Sequence, residues 1–296
     1  MPPLHDSPLI HRLCVIGIGL IGGSLARALR AAGVVETIVG CGRGEENLSR
    51  ALELNVIDES SRDPATAVAD ADMVVIATTL GATPSVLASI APTVCPEAVV
   101  TDVGSAKRRV VEAARSRLGK NFTRFVPGHP IAGTEKSGVD ASFASLYRDH
   151  RVILTPLPET EPTALRRVTE MWEATGATVT EMDADHHDDV LAATSHLPHM
   201  LAYALVECLA GMEGSGEIFA YAAGGFRDFT RIASSNPEMW CDIAMDNRDA
   251  LLSKLELFAA TYEQLSDALE SNDRKALLEM FTRAKAARDE SGFPVA

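Results

Sequence analysis

The sequence contains few cysteines, and their spacing shows no pattern of disulfide or zinc-binding pairs. The 296 residues contain five cysteines, an odd number with no CxxC pair among them. They are Cys14, Cys41, Cys95, Cys208 and Cys241. This pattern excludes a network of disulfides and a zinc ribbon.

Long apolar runs are also missing. No stretch of about 18 consecutive apolar residues offers a membrane span. The segment from Met1 to Ile10 contains three prolines and lacks the apolar core of a signal peptide. We therefore predict a soluble, cytoplasmic protein that has no membrane partner.

Basic residues are outnumbered, with 27 lysines and arginines against 41 acidic residues and a net charge of −14. Such a surface repels phosphate backbones, which argues against a nucleic-acid partner. It does not exclude a small acidic substrate, because binding one requires only a few local cations. The length is sufficient for two domains, and a hydrophobic share of 46% provides for a substantial core.

The first part of the chain alternates between short apolar runs, which are typical of buried parallel strands, and helical segments. The predicted strands are Arg12–Ile18, Glu36–Cys41, Met73–Thr78, Ala98–Val103, Phe125–Val126, Arg151–Thr155 and Thr178–Met182. This alternation predicts an α/β, Rossmann-like doubly wound domain over residues 10–183.

The rest of the sequence shows no strand pattern and predicts an all-α domain over residues 184–296. One helix is expected at about His187–Gly211 and two more within Asp246–Ala287. The latter two are divided near Ser271 or Asn272, either of which is a sensible N-cap. These helices carry more apolar residues than one buried stripe needs, which predicts a homodimer formed through this domain.

A glycine loop follows the first predicted strand and opens a helix. Its sequence is Gly17-Ile18-Gly19-Leu20-Ile21-Gly22. In this setting Gly17 permits a tight turn, Gly19 lets the backbone approach a pyrophosphate, and Gly22 allows close packing of strand and helix. The amides of Leu20 and Ile21 at the start of the helix face the negative charge. The loop predicts a dinucleotide site, and the alternative is an ordinary glycine-rich turn.

The end of the second predicted strand leaves the choice between NAD and NADP open. NAD enzymes usually carry Asp or Glu there to hold the ribose hydroxyls, but this chain has Gly42 followed by Arg43. Losing the acid removes repulsion toward a 2′-phosphate, with which Arg43 is able to pair. Alternatively, Arg43 points to solvent and NAD binds without the acid. Thr78, at the end of the third predicted strand, is assigned to the same cofactor site.

Two segments after predicted strands carry candidate catalytic residues. Ser105 lies where open α/β sheets bind ligands, and its hydroxyl suits a hydrogen bond to a catalytic group or to the nicotinamide. It is equally suited to cap a helix starting at Ala106.

His129 stands in a loop between Gly128 and Pro130. Its near-neutral pKa suits it to accept a proton from a hydroxyl while hydride leaves the same carbon. The alternative is a structural histidine.

The helical part adds candidates for substrate binding. Asp188, Ser195 and His199 share a helix face by their spacing of seven and four residues. Arg231 is a candidate for clamping a carboxylate, because its planar fork binds one with two hydrogen bonds. The alternative is a surface ion pair, for instance with Asp228.

The histidines of this region are His186, His187, His196 and His199. No HExxH motif or set of carboxylates at ligand spacing accompanies them, so we expect no metal.

Five segments together resemble the prephenate/arogenate (cyclohexadienyl) dehydrogenase family. They are GIGLIGGS (Gly17–Ser24), DVGSAK (Asp102–Lys107), GHPIAGTEKSG (Gly128–Gly138), TSHLPH (Thr194–His199) and GGFRDFTRIA (Gly224–Ala233), the last followed by Met239–Trp240. The match runs in order over about residues 12–250. GHPIAGTE and FRDFTRIA are the discriminating parts, because many dehydrogenases share the glycine loop.

The resemblance implies an oxidoreductase of tyrosine biosynthesis that uses NAD or NADP. Such an enzyme converts prephenate to 4-hydroxyphenylpyruvate, or arogenate to tyrosine, with loss of CO2. The resemblance assigns His129 to accept the hydrogen bond of the ring hydroxyl, Ser105 to a place beside it, and Arg231 to a substrate carboxylate. Residues that match positions lining the substrate pocket are His199, Asp188, Glu135 and Trp240. Ser195 joins them through its place on the shared helix face.

Two other functions stay open at this point. A β-hydroxyacid-type dehydrogenase also combines a Rossmann domain with helices, but it relies on a lysine in a glycine-containing motif of the helical domain, and no such segment is visible here. A non-catalytic dinucleotide sensor would not need His129, Ser105 and Arg231 together.

Overall fold

The computed structural model describes residues 8–291, and the chain divides into two compact units at Arg248. The predicted lack of a signal peptide concerns Met1 to Ile10, which lies largely outside the described residues. None of the helices between residues 8 and 291 combines the length and the apolar character that a membrane crossing requires.

The first unit is built on a six-stranded, fully parallel sheet. Its strands are β1 (Ile10–Ile16), β2 (Val35–Cys41), β3 (Glu59–Ser61), β4 (Met73–Ile76), β5 (Val99–Asp102) and β6 (Phe125–Val126). The order β3-β2-β1-β4-β5-β6 is that of a Rossmann fold, with its switch point between β1 and β4. The predicted doubly wound α/β class is confirmed. β3 has no apolar pattern and is missed by sequence reasoning.

Helices cover the two faces of this sheet. The crossover helices are α1 (Leu20–Ala32), α2 (Glu45–Glu53), α3 (Pro64–Ala67), α4 (Thr83–Ile90) and α5 (Arg108–Arg117). Successive side chains of β1 belong to different hydrophobic clusters, since Leu13 and Val15 join one and Cys14 and Ile16 join the other. A strand that is buried on both faces reads as a continuous apolar run, which is why the sequence predicts it well.

A second sheet of three strands carries the predicted catalytic histidine. Its strands are β7 (Gly128–Pro130), β8 (Arg151–Leu154) and β9 (Thr178–Glu181), with α6 (Pro162–Glu173) between the last two. β7 runs antiparallel to β8 and places His129 opposite Ile153. The expectations that His129 lies in a loop and that β8 and β9 extend the first sheet are therefore wrong. Pro127 offers no N–H with which to continue the first sheet, and its carbonyl accepts from the amide of Thr155.

The remaining part of the first unit is helical, as expected. The helix predicted at His187–Gly211 is present as α7 (Ala184–Leu191), a π-helical turn (Ala192–His196) and α8 (Leu197–Ala210). It is followed by α9 (Ser215–Ala220), α10 (Gly224–Thr230) and α11 (Pro237–Asp246).

The second unit contains the two long helices that the sequence predicts, α12 (Arg248–Glu270) and α13 (Arg274–Glu290). The predicted N-cap at Ser271 or Asn272 is wrong. The cap is Asp273, whose carboxylate accepts from the amides of Lys275 and Ala276, each at 3.0 Å. Asn272 instead takes a left-handed conformation with φ of 53°, which asparagine tolerates better than most residues.

Candidate active site

The glycine loop lies at the switch point of the first sheet. Gly17 has φ of 106°, and a Cβ placed on it would lie 2.3 Å from the carbonyl oxygen of Ala77. A Cβ on Gly22 would lie 2.1 Å from the carbonyl oxygen of Gly17. The fold itself therefore requires glycine at both positions. Gly19 differs, because a Cβ there would meet no atom of the described residues within 4 Å. The space above Gly19 is open to a ligand.

The groups around this open space suit a dinucleotide. α1 begins at Leu20, and no side chain caps it. The amides of its first turn have no partner within the helix and provide a binding site for an anion such as a pyrophosphate. At the end of β4, the hydroxyl oxygen of Thr78 is buried and has no hydrogen-bond partner among the described residues. A bound cofactor would satisfy such a group.

The residues around Gly42, where NAD enzymes usually carry an acid, are compatible with both NAD and NADP. The Gly42 amide donates to the carbonyl of Ser61 at the end of β3, and the Arg43 side chain is exposed. Arg43 forms no ion pair with any carboxylate of the described residues. It is thus accessible to a 2′-phosphate but is not fixed in place for one.

A buried ion pair that sequence reasoning does not assign fixes the loop after β5. The Lys107 ammonium group is fully buried, 2.5 Å from Oδ2 of Asp102 and 2.7 Å from the carbonyl oxygen of Gly128. Asp102 also accepts from the amides of Gly104 and Gly128. Lys107 thereby joins the edge of the first sheet to β7, directly beside His129.

Asp188 of α7 holds the other side of the same loop. Its carboxylate is fully buried and accepts from the amides of Lys107 at 2.8 Å and Arg108 at 3.0 Å. The Lys107 amide directly precedes α5 and the Arg108 amide is the first of the helix, so Asp188 caps α5 from a distant part of the chain. The expectation that Ser105 caps a helix starting at Ala106 is wrong, because the helix begins at Arg108. The buried position of Asp188 favours a positioning role over direct contact with substrate.

The placement of Ser105 is compatible with its other predicted role. Ser105 is half-buried in the loop between β5 and α5. No other group of the described residues hydrogen-bonds its hydroxyl. The hydroxyl is therefore left for a ligand, and its predicted contact with a catalytic group or with the nicotinamide stays a prediction.

His129 is held in β7 with only 8% of its surface exposed. Its Nδ1 lies 2.9 Å from Nε2 of His187, and Nδ1 of His187 lies 2.8 Å from Oδ1 of Asp188. Burial holds the pKa of His129 well below its ordinary value of 6.5, and the neighbouring His187 and Lys107 add to the effect. The imidazole is therefore neutral at physiological pH and is able to accept a hydrogen bond.

A second group of predicted residues surrounds the start of α8. The His199 ring stacks on Trp240 with centroids 3.5 Å apart, and its Nδ1 bonds the backbone carbonyl of Ser195 at 2.8 Å. Arg231 lies 3.6 Å from Glu135, with 64% of its side chain exposed. Its ion-pair partner is thus Glu135, itself a predicted site residue, and not Asp228. Burial lowers the pKa of His199, and the nearby charge of Arg231 acts in the same direction.

His196 and Asn247 connect the two groups. The Asn247 side-chain amide donates to the carbonyl of Asp188 at 2.6 Å and lies 3.1 Å from Nδ1 of His196. The His196 ring in turn meets Trp240 edge-on, with centroids 6.1 Å apart. The buried His129 and the stacked His199 therefore belong to one continuous cluster. The described residues contain no group of three or more His, Cys, Asp or Glu side chains arranged to hold a metal ion.

The sheet order and the glycine loop define a dinucleotide-binding protein of the Rossmann class. Comparison with known proteins identifies the family within this class. A family model described as the prephenate dehydrogenase nucleotide-binding domain matches residues 25–181. A second, described as the prephenate dehydrogenase dimerization domain, matches residues 183–283.

Individual relatives are similar over almost the whole chain. A cyclohexadienyl dehydrogenase of Zymomonas mobilis is 40% identical over 282 residues, 95% of this chain and 96% of that protein. The crystal structure of prephenate dehydrogenase from Aquifex aeolicus with hydroxyphenyl propionate and NAD+ has a TM-score of 0.88 and 36% identity, covering 95% of this chain and 98% of that one. Synechocystis arogenate dehydrogenase gives a TM-score of 0.78 at 30% identity, covering 95% and 99%.

The chain belongs to the prephenate dehydrogenase family. The family predicted from five sequence segments is confirmed, and so is the class of nicotinamide-dependent oxidoreductase.

Sequence reasoning misses three members of the cluster, namely Lys107, His187 and Asn247. Lys107 closes the quoted segment DVGSAK, but a lysine is by default a surface residue. A signal for His187 exists, because it directly precedes Asp188, which is itself a candidate. Asn247 has no such signal, since its role depends on where α11 ends.

The geometry of the glycine loop separates folding from binding. We expect Gly19→Ala to leave the melting temperature unchanged, because the added methyl group meets open space. The same change should raise the Kd for NAD about tenfold or more, the equivalent of about 1.4 kcal/mol, since the methyl group occupies the approach to the pyrophosphate. Calorimetry and a fluorescence titration measure the two quantities. Gly216→Ala in α9, also in open space, serves as the control, and an unchanged Kd for Gly19→Ala would contradict the assignment.

Proposed function

We propose that this chain is a prephenate or arogenate dehydrogenase of tyrosine biosynthesis that uses NAD or NADP. The reaction removes a hydride from the ring carbon that bears the hydroxyl, while the carboxylate on the opposite ring carbon leaves as CO2 and the ring becomes aromatic. The observation that carries the proposal is His129, a buried and neutral imidazole bonded through Nδ1 to His187. The NAD+ and hydroxyphenyl propionate bound by the Aquifex aeolicus relative support it.

The dinucleotide, when bound, supplies the nicotinamide that accepts the hydride. In this chain the amides of Leu20 and Ile21, at the start of α1, would hold its pyrophosphate. Gly17 and Gly22 shape the turn that brings those amides to the switch point. Thr78 would use its unpartnered hydroxyl on the same ligand.

His129 would act on the substrate hydroxyl. As hydride departs, positive character develops at the carbon that bears this hydroxyl. A neutral imidazole that accepts the hydroxyl hydrogen bond stabilises that charge, whereas a protonated imidazole would oppose it. We place Ser105 beside this contact, because its hydroxyl lies in the loop fixed by Lys107 and Asp188 and is bonded to no other described group.

Arg231 would bind a substrate carboxylate. Its exposed guanidinium group is only partly neutralised by Glu135 at 3.6 Å, which leaves donors for a second carboxylate. His199 and Trp240 form a flat, stacked surface next to it, and Ser195 fixes the His199 ring through its backbone carbonyl. Asp188 contributes from behind, through the loop amides and His187.

The two-domain division is also a proposal, with a nucleotide-binding part at residues 10–183 and a helical part at residues 184–296. The boundary between the two family models, at residues 181–183, supports it. So does the position of the last described strand, which ends at Glu181. The cytoplasmic location stays a prediction from the sequence.

We further propose that the chain forms a homodimer through its helical part. Five large hydrophobic side chains of α12 and α13 are more than half exposed, a pattern that marks an interaction surface. They are Leu257, Tyr262, Leu269, Leu278 and Phe281. The second matching family model is named for dimerization, which supports the same assignment.

An absorbance assay for the reduced nicotinamide tests the proposed reaction. Purified protein should reduce the cofactor with prephenate or arogenate and release CO2 in equal amount. Testing each substrate with NAD and with NADP decides both preferences. Turnover of a β-hydroxyacid instead, or cofactor binding without any turnover, would sink the proposal in favour of one of the two alternative functions.

Substitutions of His129 and of Arg231 should change different kinetic constants. His129→Asn should lower kcat by about 10²- to 10⁴-fold while the Kd for the cofactor stays unchanged. Arg231→Ala should mainly raise KM, because it removes a binding contact. Since the pKa of His129 lies below 6.5, the wild-type kcat/KM should begin to fall only below pH 6.5. Normal turnover by His129→Asn would contradict its assignment as the acceptor of the substrate hydroxyl hydrogen bond.

Light scattering tests the dimer. The expected mass is twice the chain mass of 31.6 kDa. Leu257→Glu combined with Leu278→Glu should yield monomers, because charges then occupy the exposed apolar surface. Leu52→Glu in α2, where the side chain is 37% exposed, is the matched control and should leave the dimer intact. A monomeric wild-type protein would refute this assignment.

A further inference from the structure

The geometry points to His187 as the positioning residue that decides which nitrogen of His129 carries the proton. The inference rests on the proposed function, in which His129 accepts a hydrogen bond from the substrate. His187 itself is fully buried behind His129 and is given no contact with substrate. It would act only through the ring that it holds.

Three side chains form a continuous line of hydrogen bonds. Oδ1 of Asp188 lies 2.8 Å from Nδ1 of His187, and Nε2 of His187 lies 2.9 Å from Nδ1 of His129. Asp188 and His187 are completely buried, and His129 is 8% exposed. The two imidazole rings meet edge to face, with centroids 5.1 Å apart. Both ring nitrogens of His187 and Nδ1 of His129 therefore have one defined protein partner each.

Asp188 determines the first proton position. Its carboxylate already accepts from the amides of Lys107 and Arg108. Burial acts to raise its pKa, but the hydrogen bonds from His187 and from those two amides outweigh it, and the pKa lies below the ordinary value. An ionised carboxylate only accepts, so the proton between Asp188 and His187 must reside on Nδ1 of His187.

His187 passes this constraint on to His129. Burial lowers the pKa of His187 more than Asp188 raises it, so the ring is neutral and Nε2 carries a lone pair. That lone pair accepts from Nδ1–H of His129, and a neutral His129 then has its own lone pair on Nε2. This nitrogen has no hydrogen-bond partner among the described residues. It is the acceptor that the substrate hydroxyl requires.

The opposite arrangement would disable the site. If Nδ1 of His129 carried the lone pair, Nε2–H would point a donor at the substrate, and the developing positive charge would lose its acceptor. The polar partners of a functional imidazole fix its tautomer in the same way at metal sites, where their loss typically costs about 10- to 100-fold. Charged neighbours of the line are Lys107, Asp102 and Arg108, and the titratable ring of His196 also lies near it, with its pKa lowered to about 4 by burial.

Nitrogen-15 NMR of the histidine side chains tests the proton positions without any turnover. In the wild-type protein at neutral pH, His129 and His187 should both appear as neutral rings protonated at Nδ1. Spectra of His129→Asn and His187→Gln assign the two sets of signals. A His129 ring protonated at Nε2, or a His187 ring protonated at both nitrogens, would overturn the inference. This readout stands even if neither prephenate nor arogenate is a substrate, an outcome that would defeat only the proposed function.

A pair of substitutions distinguishes positioning from a merely structural role. The Gln side chain in His187→Gln reaches the place of Nε2 and offers an oxygen to His129, but it gives up the donor at the place of Nδ1. Asn in His187→Asn keeps a donor for Asp188 and is too short to reach His129. We expect His187→Gln to retain most of kcat and His187→Asn to lose at least about tenfold, with KM and the Kd for NAD unchanged in both.

The reverse result would show that His187 only holds Asp188, and it would refute the inference. Equal, wild-type kcat in both variants would do the same. His186→Gln, at the exposed neighbouring position, is the matched control and should behave like the wild type. If either variant fails to fold, the NMR measurement on the wild-type protein decides the question.

Discussion

Lys107 is an ammonium group without access to water, and its two partners belong to different sheets. Asp102 ends a strand of the nucleotide-binding sheet, and Gly128 begins the strand that carries His129. Removing one member of a buried ion pair usually costs about 3–5 kcal/mol, because the other charge is left unpaired. The position of His129 relative to the end of β5 therefore depends on this contact. The loop that bears Ser105 depends on it as well.

Asp188 complements this ion pair from the helical side. Its carboxylate binds the amides at the start of α5, while its backbone carbonyl accepts from Asn247. One residue thus connects the loop after β5 with α7 and the end of α11. The same carboxylate lies 2.8 Å from Nδ1 of His187, whose Nε2 in turn lies 2.9 Å from Nδ1 of His129. The sequence makes Asp188 a candidate for substrate contact, and in the structure its buried carboxylate is bonded to the loop amides and to His187.

The sequence predicts those parts whose pattern is local. β1 is apolar on both faces and runs into a glycine loop, so the cofactor half follows from the sequence. β7 does not, because Gly128-His129-Pro130 has no strand pattern, and its pairing is decided by β8, more than twenty residues further along the chain. The sequence points to His187 only through its place next to Asp188, and its contact with His129 is seen only in the fold. The sequence does not identify Lys107 as a site residue either, because nothing in the local pattern shows that this lysine will be buried.

The π-helical turn between α7 and α8 contains one residue more than an α-helical turn would. If the same residues between Leu191 and Leu197 formed a regular α-helical turn, α7 would continue as one regular helix into α8. Everything beyond it would then rotate by about 100°, the angle between successive residues of an α-helix. His187 and Asp188 would keep their places, but His199 would leave the Trp240 ring. The π-helical conformation of this segment therefore allows His199 to stack on Trp240 while His187 and Asp188, one turn earlier, contact His129 and the loop after β5.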